Sequence, residues 1–180
     1  MTDIELEMLK YPIGTFQKPD TFSEELKRQW INTLSELPMM LGHAIESLDN
    51  TQLQTPYRPG GWTVVQVVHH IADSHMNALV RLKLALTENV PVIKPYEESL
   101  WAELPDSKNL PVQVSVELLE GLHQRMVNLL ENIRPEDWYR TYFHPGYKKE
   151  FSIWEVAGLY AWHSNHHVAQ ILSLKKKMNW

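Results

Sequence analysis

There is no cysteine among the 180 residues, so the chain has no disulfide, no thiolate metal ligand and no cysteine nucleophile of its own. Any sulfur chemistry must borrow an external thiol. Basic charge is scarce too: 22 acidic side chains oppose 17 basic ones, a formal net charge of −5. Nucleic-acid binding needs clustered Lys and Arg that displace counterions. The one basic cluster is Lys175, Lys176 and Lys177, which suits the negative end of a C-terminal helix dipole. No nucleic-acid partner is expected. Apolar runs fall short of the roughly 18 residues of a membrane span, and Asp3, Glu5 and Glu7 make the N-terminus acidic where a signal peptide is basic. No membrane partner is expected, and the expected location is cytoplasmic.

What is present is apolar and aromatic surface: 43% hydrophobic residues, with seven Trp, seven Tyr and four Phe. That supplies one core without a staple, and residues 1–180 are read as one domain. Residues 1–22 carry turn formers such as Tyr11-Pro12-Ile13-Gly14 and read as an extended arm lying on the rest. Ser23 caps a first long helix with Leu26, Trp30, Leu34, Leu37, Leu41 and Ile45 at helical spacing, which Pro38 is expected to kink or break. Thr63 and Gln66 form a capping box that opens a second helix running to about Glu88. A third spans Val112 to about Ile133, and a fourth runs from Ile153 to near Lys177 behind a Ser152/Glu155 capping box.

Between the second and third helices, Pro91, Pro95 and Pro105 leave room only for a short helical piece around Glu97 to Glu103. This is a long crossover. Alternating segments at Tyr139–His144 and Lys148–Phe151 around Pro145-Gly146 predict a small β-hairpin. The expected fold is all-α, a four-helix bundle with a long crossover connection, and bundle cores build metal sites from facing helices.

Nine histidines stand in the chain, and direction decides more than number. At 100° per residue, Val156, Tyr160, His163, His167, Gln170, Ile171 and Leu174 share one arc of the fourth helix, so His163 and His167 look inward. Two imidazoles one turn apart can reach the same ion. Alone, the pattern equally fits two histidines hydrogen-bonded in a wet part of the core. On the second helix, Val64, Val67, Ile71, Ala78, Leu82 and Ala85 define the buried stripe. His70 lies at its polar edge with Ser74, Asn77 and Arg81, whereas His69 falls opposite the core and is expected to be exposed. His70 is therefore the better third ligand. His75 is read as structural, His43, His123 and His144 as surface or partly buried, and His166 as pointing off the arc.

Three protein ligands with an open fourth position is the catalytic zinc arrangement; structural sites close all four, commonly with cysteine. All-imidazole ligation also suits nickel. Ser164 stands where a metalloprotease places its glutamate, which disfavours a peptidase. Asp73, Gln66 and Asn165 are candidates to receive the ligands' second N–H by adjacency.

These residues lie in Gly60-Gly61-Trp62-Thr63-Val64-Val65-Gln66-Val67-Val68-His69-His70-Ile71-Ala72-Asp73-Ser74-His75 and Trp162-His163-Ser164-Asn165-His166-His167-Val168-Ala169. With Thr55-Pro56-Tyr57-Arg58 and Tyr142-Phe143-His144-Pro145, the chain resembles the YfiT-like branch of the DinB superfamily over nearly its whole length. The resemblance implies a dimeric four-helix bundle of unusual connectivity, acting as a metal-dependent hydrolase. The divalent ion, zinc or nickel, would sit on His70, His163 and His167. It also keeps open transfer of a small thiol such as bacillithiol to electrophiles. Read from the residues alone, Arg58, Arg81 and Tyr160 are candidates to hold such a thiol, and a non-catalytic metal-stabilised bundle is a further alternative. A small-molecule substrate is expected, no catalytic acid or base is identified, and Trp101 and Trp180 are offered for the dimer surface.

Overall fold

The computed structural model describes residues 2–180. Along the chain come α1 (Asp3–Lys10), α2 (Glu24–Ile45), α3 (Asn50–Leu53), α4 (Val64–Thr87), α5 (Glu98–Trp101), α6 (Pro105–Asn109), α7 (Val112–Asn132), a 3-10 turn (Pro135–Tyr139), β1 (Thr141–His144), β2 (Lys149–Ser152) and α8 (Ile153–Met178). The four long helices form the predicted bundle. α2 packs on α7 and α8, and α4 packs on the same two, so α2 and α4 occupy opposite corners, as do α7 and α8. Consecutive long helices α2 and α4 are therefore diagonal partners. That diagonal step is what makes the connectivity unusual.

Three of the four bundle helices, α2, α4 and α8, begin at a side-chain cap. Thr63 Oγ1 accepts from the Gln66 amide at 3.2 Å while Gln66 Oε1 accepts from the Thr63 amide at 3.0 Å. Ser152 and Glu155 repeat the device at the head of α8. At the other end of α4, Arg140 donates to the carbonyls of Ala85 and Glu88 at 2.6 and 2.7 Å, covering acceptors the helix leaves unpaired. Lys175 reaches the Ala44 carbonyl at the end of α2, so this lysine ties two helices together and does more than complement its own dipole. No described helix is long and apolar enough to cross a membrane.

Three expectations need correction. Residues 3–10 form a helix, because Thr2 and Glu5 make a capping box there; the extended part of the arm begins only after Lys10. This arm lies along α8, with Trp162 donating to the Gly14 carbonyl at 3.2 Å and Lys18 paired to Glu155 at 2.7 Å. Pro38 does not break α2, which runs through it. A proline leaves the carbonyl four residues back without its amide, and His123 Nδ1–H takes that oxygen, Leu34 O, at 2.6 Å. Fully buried Leu34, Leu37 and Leu41 then hold the helix against the bundle. The crossover contains a second short helix, α6, begun by Pro105 at its first position, where a missing amide costs nothing.

The hairpin pairs Thr141 with Ser152 through to His144 with Lys149. The crossover adds to its edge, Ile93 N–H donating to Phe143 O and Phe143 N–H to Pro91 O. This places the hairpin and residues 91–98 together over one end of α4 and α8.

Candidate metal centre

α4 and α8 pack side by side. His70 comes from α4; His163 and His167 come from α8. Their ring centroids are 5.4 Å (His70–His163), 5.0 Å (His70–His167) and 4.4 Å (His163–His167) apart. One nitrogen from each lies within 4.8 Å of the other two. Trp62 packs on His70 at 4.7 Å, holding the ring by contact.

Burial makes these imidazoles neutral. Desolvation, helped by repulsion from His166, draws His70 down to about 4. His163 and His167 lie well below the ordinary histidine range, first from burial and then from neighbouring imidazoles. The neutral ring is the form that ligates a metal.

The arrangement fits an ion on its own geometry. Gln170 donates its amide to the Lys10 carbonyl at 2.9 Å, which turns Gln170 Oε1 towards His167 Nδ1, 2.8 Å away. His167 must donate there, so its Nε2 is a bare lone pair. That lone pair faces His163 Nε2 at 3.2 Å, with His70 alongside. Three uncharged nitrogens without a carboxylate suit a borderline transition ion such as zinc or nickel and not calcium or magnesium. His163 is held from behind by His75, whose Nε2 lies 3.1 Å from His163 Nδ1.

The structure thus brings together the three histidines singled out from the sequence, and departs from expectation around them. His69 is buried, not exposed: it bonds Ser115 Oγ at 2.7 Å and lies 3.1 Å from the Leu110 carbonyl. α4 is covered by α6 and α7 on the face expected to meet solvent. His123 is fully buried against His75, not near the surface. Gln66 spends its amide on the Ala102 carbonyl and Glu103, Asn165 is exposed, and Asp73, pushed up to about 6 by burial, bonds no histidine. The partners behind the site are Gln170 and His75. Gln170 was readable as an inward residue three positions after His167; His75 needed the tertiary fold.

The three histidines line one wall of an open cavity of about 770 Å³. Its other walls include Tyr11 from the arm, Arg81 and Ser74 from α4, Tyr96 and Glu98 from the crossover, Tyr142 and His144 from the hairpin, and Tyr160. Burial raises the Tyr160 phenol, which therefore stays protonated; its oxygen accepts from Ser74 Oγ at 3.4 Å, which leaves its own O–H to donate. Arg81 has a buried Nε without a partner and stacks over Tyr96 at 5.9 Å. No described carboxylate pairs with it; Glu98 at the rim feels its charge without forming a salt bridge.

A model of the DinB superfamily matches residues 33–171. The chain belongs to this superfamily. Among DinB relatives, a Bacillus mycoides protein named "Putative metal-dependent hydrolase" is 54% identical over 172 residues, covering 96% of this chain and 98% of that one. A Bacillus cereus protein of the same name is 55% identical at the same coverage. The solved structure of YfiT from Bacillus subtilis, described as a probable metal-dependent hydrolase with an unusual four-helix bundle topology, superposes with a TM-score of 0.94 at 46% identity. It covers 96% of this chain and 99% of that one.

Proposed function

We propose that the protein is a metal-dependent hydrolase of small molecules, holding one divalent ion, zinc or alternatively nickel, on His70, His163 and His167. The observation that carries the reading is the convergence of three neutral imidazole nitrogens on the wall of an open cavity. An ion there supplies a Lewis acid and a water acidified towards about neutral pH. The remaining work falls to the chain. Tyr160, packed 5.6 Å from His163, donates a hydrogen bond to a substrate oxygen brought to the site. Arg81 holds an anionic group of the substrate, because an unpaired guanidinium in a cavity wall gains a charge-assisted bond from such a ligand.

A second reading, transfer of an external thiol to an electrophile, draws on the cavity's size. About 770 Å³ is room for two reactants, and the chain has no thiol of its own. The reading also takes the chain as a homodimer, after its resemblance to YfiT-like proteins. The test is to incubate the zinc- or nickel-loaded protein with a panel of esters and amides bearing a carboxylate, with and without small thiols. Metal-dependent cleavage without thiol is the expected result. Conjugates formed only with thiol would move S-transfer into first place, and no turnover of either kind would refute both.

A further inference from the structure

Behind His163 a line of buried imidazoles leads away from the cavity to the backbone of α2. We propose that His75 and His123 are positioning residues that fix the tautomer of His163, through a hydrogen-bonded chain anchored on the Leu34 carbonyl. The proposal rests on the reading of His163 as a metal ligand.

The chain has three links: His163 Nδ1 to His75 Nε2 at 3.1 Å, His75 Nδ1 to His123 Nε2 at 3.0 Å, and His123 Nδ1 to Leu34 O at 2.6 Å. Each of the two middle rings uses both nitrogens. A neutral imidazole carries one N–H and one lone pair, so the polarity of one link dictates the next. The end of the line removes the choice. A carbonyl oxygen only accepts, so His123 Nδ1 must carry the proton, and His123 Nε2 is a lone pair. That lone pair must receive His75 Nδ1–H, which makes His75 Nε2 an acceptor. His163 Nδ1–H then donates to it, and His163 Nε2 is left as a bare lone pair towards His167.

The opposite polarity fails at a definite place. It would set a His123 lone pair 2.6 Å from the Leu34 oxygen, unless His123 were doubly protonated. A charged ring is disfavoured where His75 is 0% and His123 1% exposed. The rings cannot easily turn to escape, since His75 packs perpendicular to the Tyr160 ring at 4.9 Å.

Two features otherwise without a purpose are explained. Pro38 withdraws the amide that would ordinarily bond Leu34 O, leaving that carbonyl free to terminate the chain. The two Nε2 lone pairs of His163 and His167, 3.2 Å apart, are each imposed from outside, one by this chain and the other by Gln170. Two lone pairs held face to face repel each other, which favours a cation between them. An N–H donated away from the metal also makes the ligating nitrogen a stronger base.

The experiment is a long-range proton–nitrogen correlation spectrum of the zinc-loaded protein with nitrogen-15 histidine. The result expected is Nδ1–H at His75, His123 and His163, with Nε2 free of hydrogen in all three. Nε2–H at His75 or His123 overturns the proposal. Zinc affinity gives a second readout: His75→Leu should bind about 10- to 100-fold more weakly, and His75→Gln, whose amide supplies one donor and one acceptor, should recover most of it. Equal affinity of His75→Leu and the unchanged protein, or of the two variants, overturns it as well. Should His75→Leu not fold, the spectrum decides alone. If the protein binds no ion, the metal reading fails, while the His75 and His123 tautomers in the metal-free spectrum still decide the polarity of the chain.

Discussion

Replacing Gly158 by alanine should destabilise the protein, although alanine is the better helix former by about 1 kcal/mol. Gly158 is buried in α8 where α2 crosses it. A Cβ there would stand 2.8 Å from Trp30 Cζ2, 3.0 Å from Cε2 and 3.1 Å from Cη2. Trp30 cannot tilt away freely, being stacked on Phe22 (6.0 Å, 15°) and on Trp154 (6.5 Å, 7°). Overpacking a rigid site costs about 1–3 kcal/mol; three sub-van-der-Waals contacts on one ring place this case in the upper half. The net expectation is a loss of about 1–2 kcal/mol. Gly42 and Gly121 are controls, since each is helical and a Cβ at either meets nothing within 4 Å. Their alanine variants should gain about 0.5–1 kcal/mol. Urea unfolding of the three variants gives the comparison. A Gly158→Ala protein as stable as Gly121→Ala would refute the argument that this glycine lets α8, and with it two of the histidines, settle against α2.

The metal-free protein should lose stability in mild acid. Burial holds His123 at about 4 against 6.5 for the ordinary group, so between those values the unfolded chain binds the extra proton and stability falls as pH falls. The contribution is intact above about 6.5 and levels off below about 4. Between pH 8 and pH 5, His123 alone accounts for about 2 kcal/mol, and His123→Gln should flatten that part of a urea–pH profile; an unchanged profile contradicts it. Arg81→Met should raise KM for an anionic substrate about tenfold or more, with kcat nearly unchanged and a neutral analogue unaffected. An equal loss with both substrates would remove the anion-holding role.

The bundle was readable because its signals are local. Capping boxes at Thr63 and Ser152 stand at the starts of the two helices that carry the histidines, and the angular arc on α8 turns His163 and His167 inward, as the structure does. What failed depended on neighbours that periodicity does not reveal. The wheel assigns His69 to solvent because it gives α4 one buried face, yet α6, α7 and α8 all pack on that helix. Pro38 reads as a helix breaker by its missing amide, while the imidazole that takes up the orphaned Leu34 carbonyl lies 89 positions further along the chain. Gln170 has the spacing to support His167 on its own helix, whereas His75 reaches His163 from 88 positions away, which only the fold shows.

Metal content tests the central claim most directly. Purified protein loaded with zinc and freed of excess should carry one ion per chain by mass spectrometry of the metal. His70→Ala, His163→Ala and His167→Ala should each lose it, and His43→Ala, an exposed histidine elsewhere on α2, should keep it. Full metal content in any of the three folded variants, or none in the unchanged protein, would contradict the account.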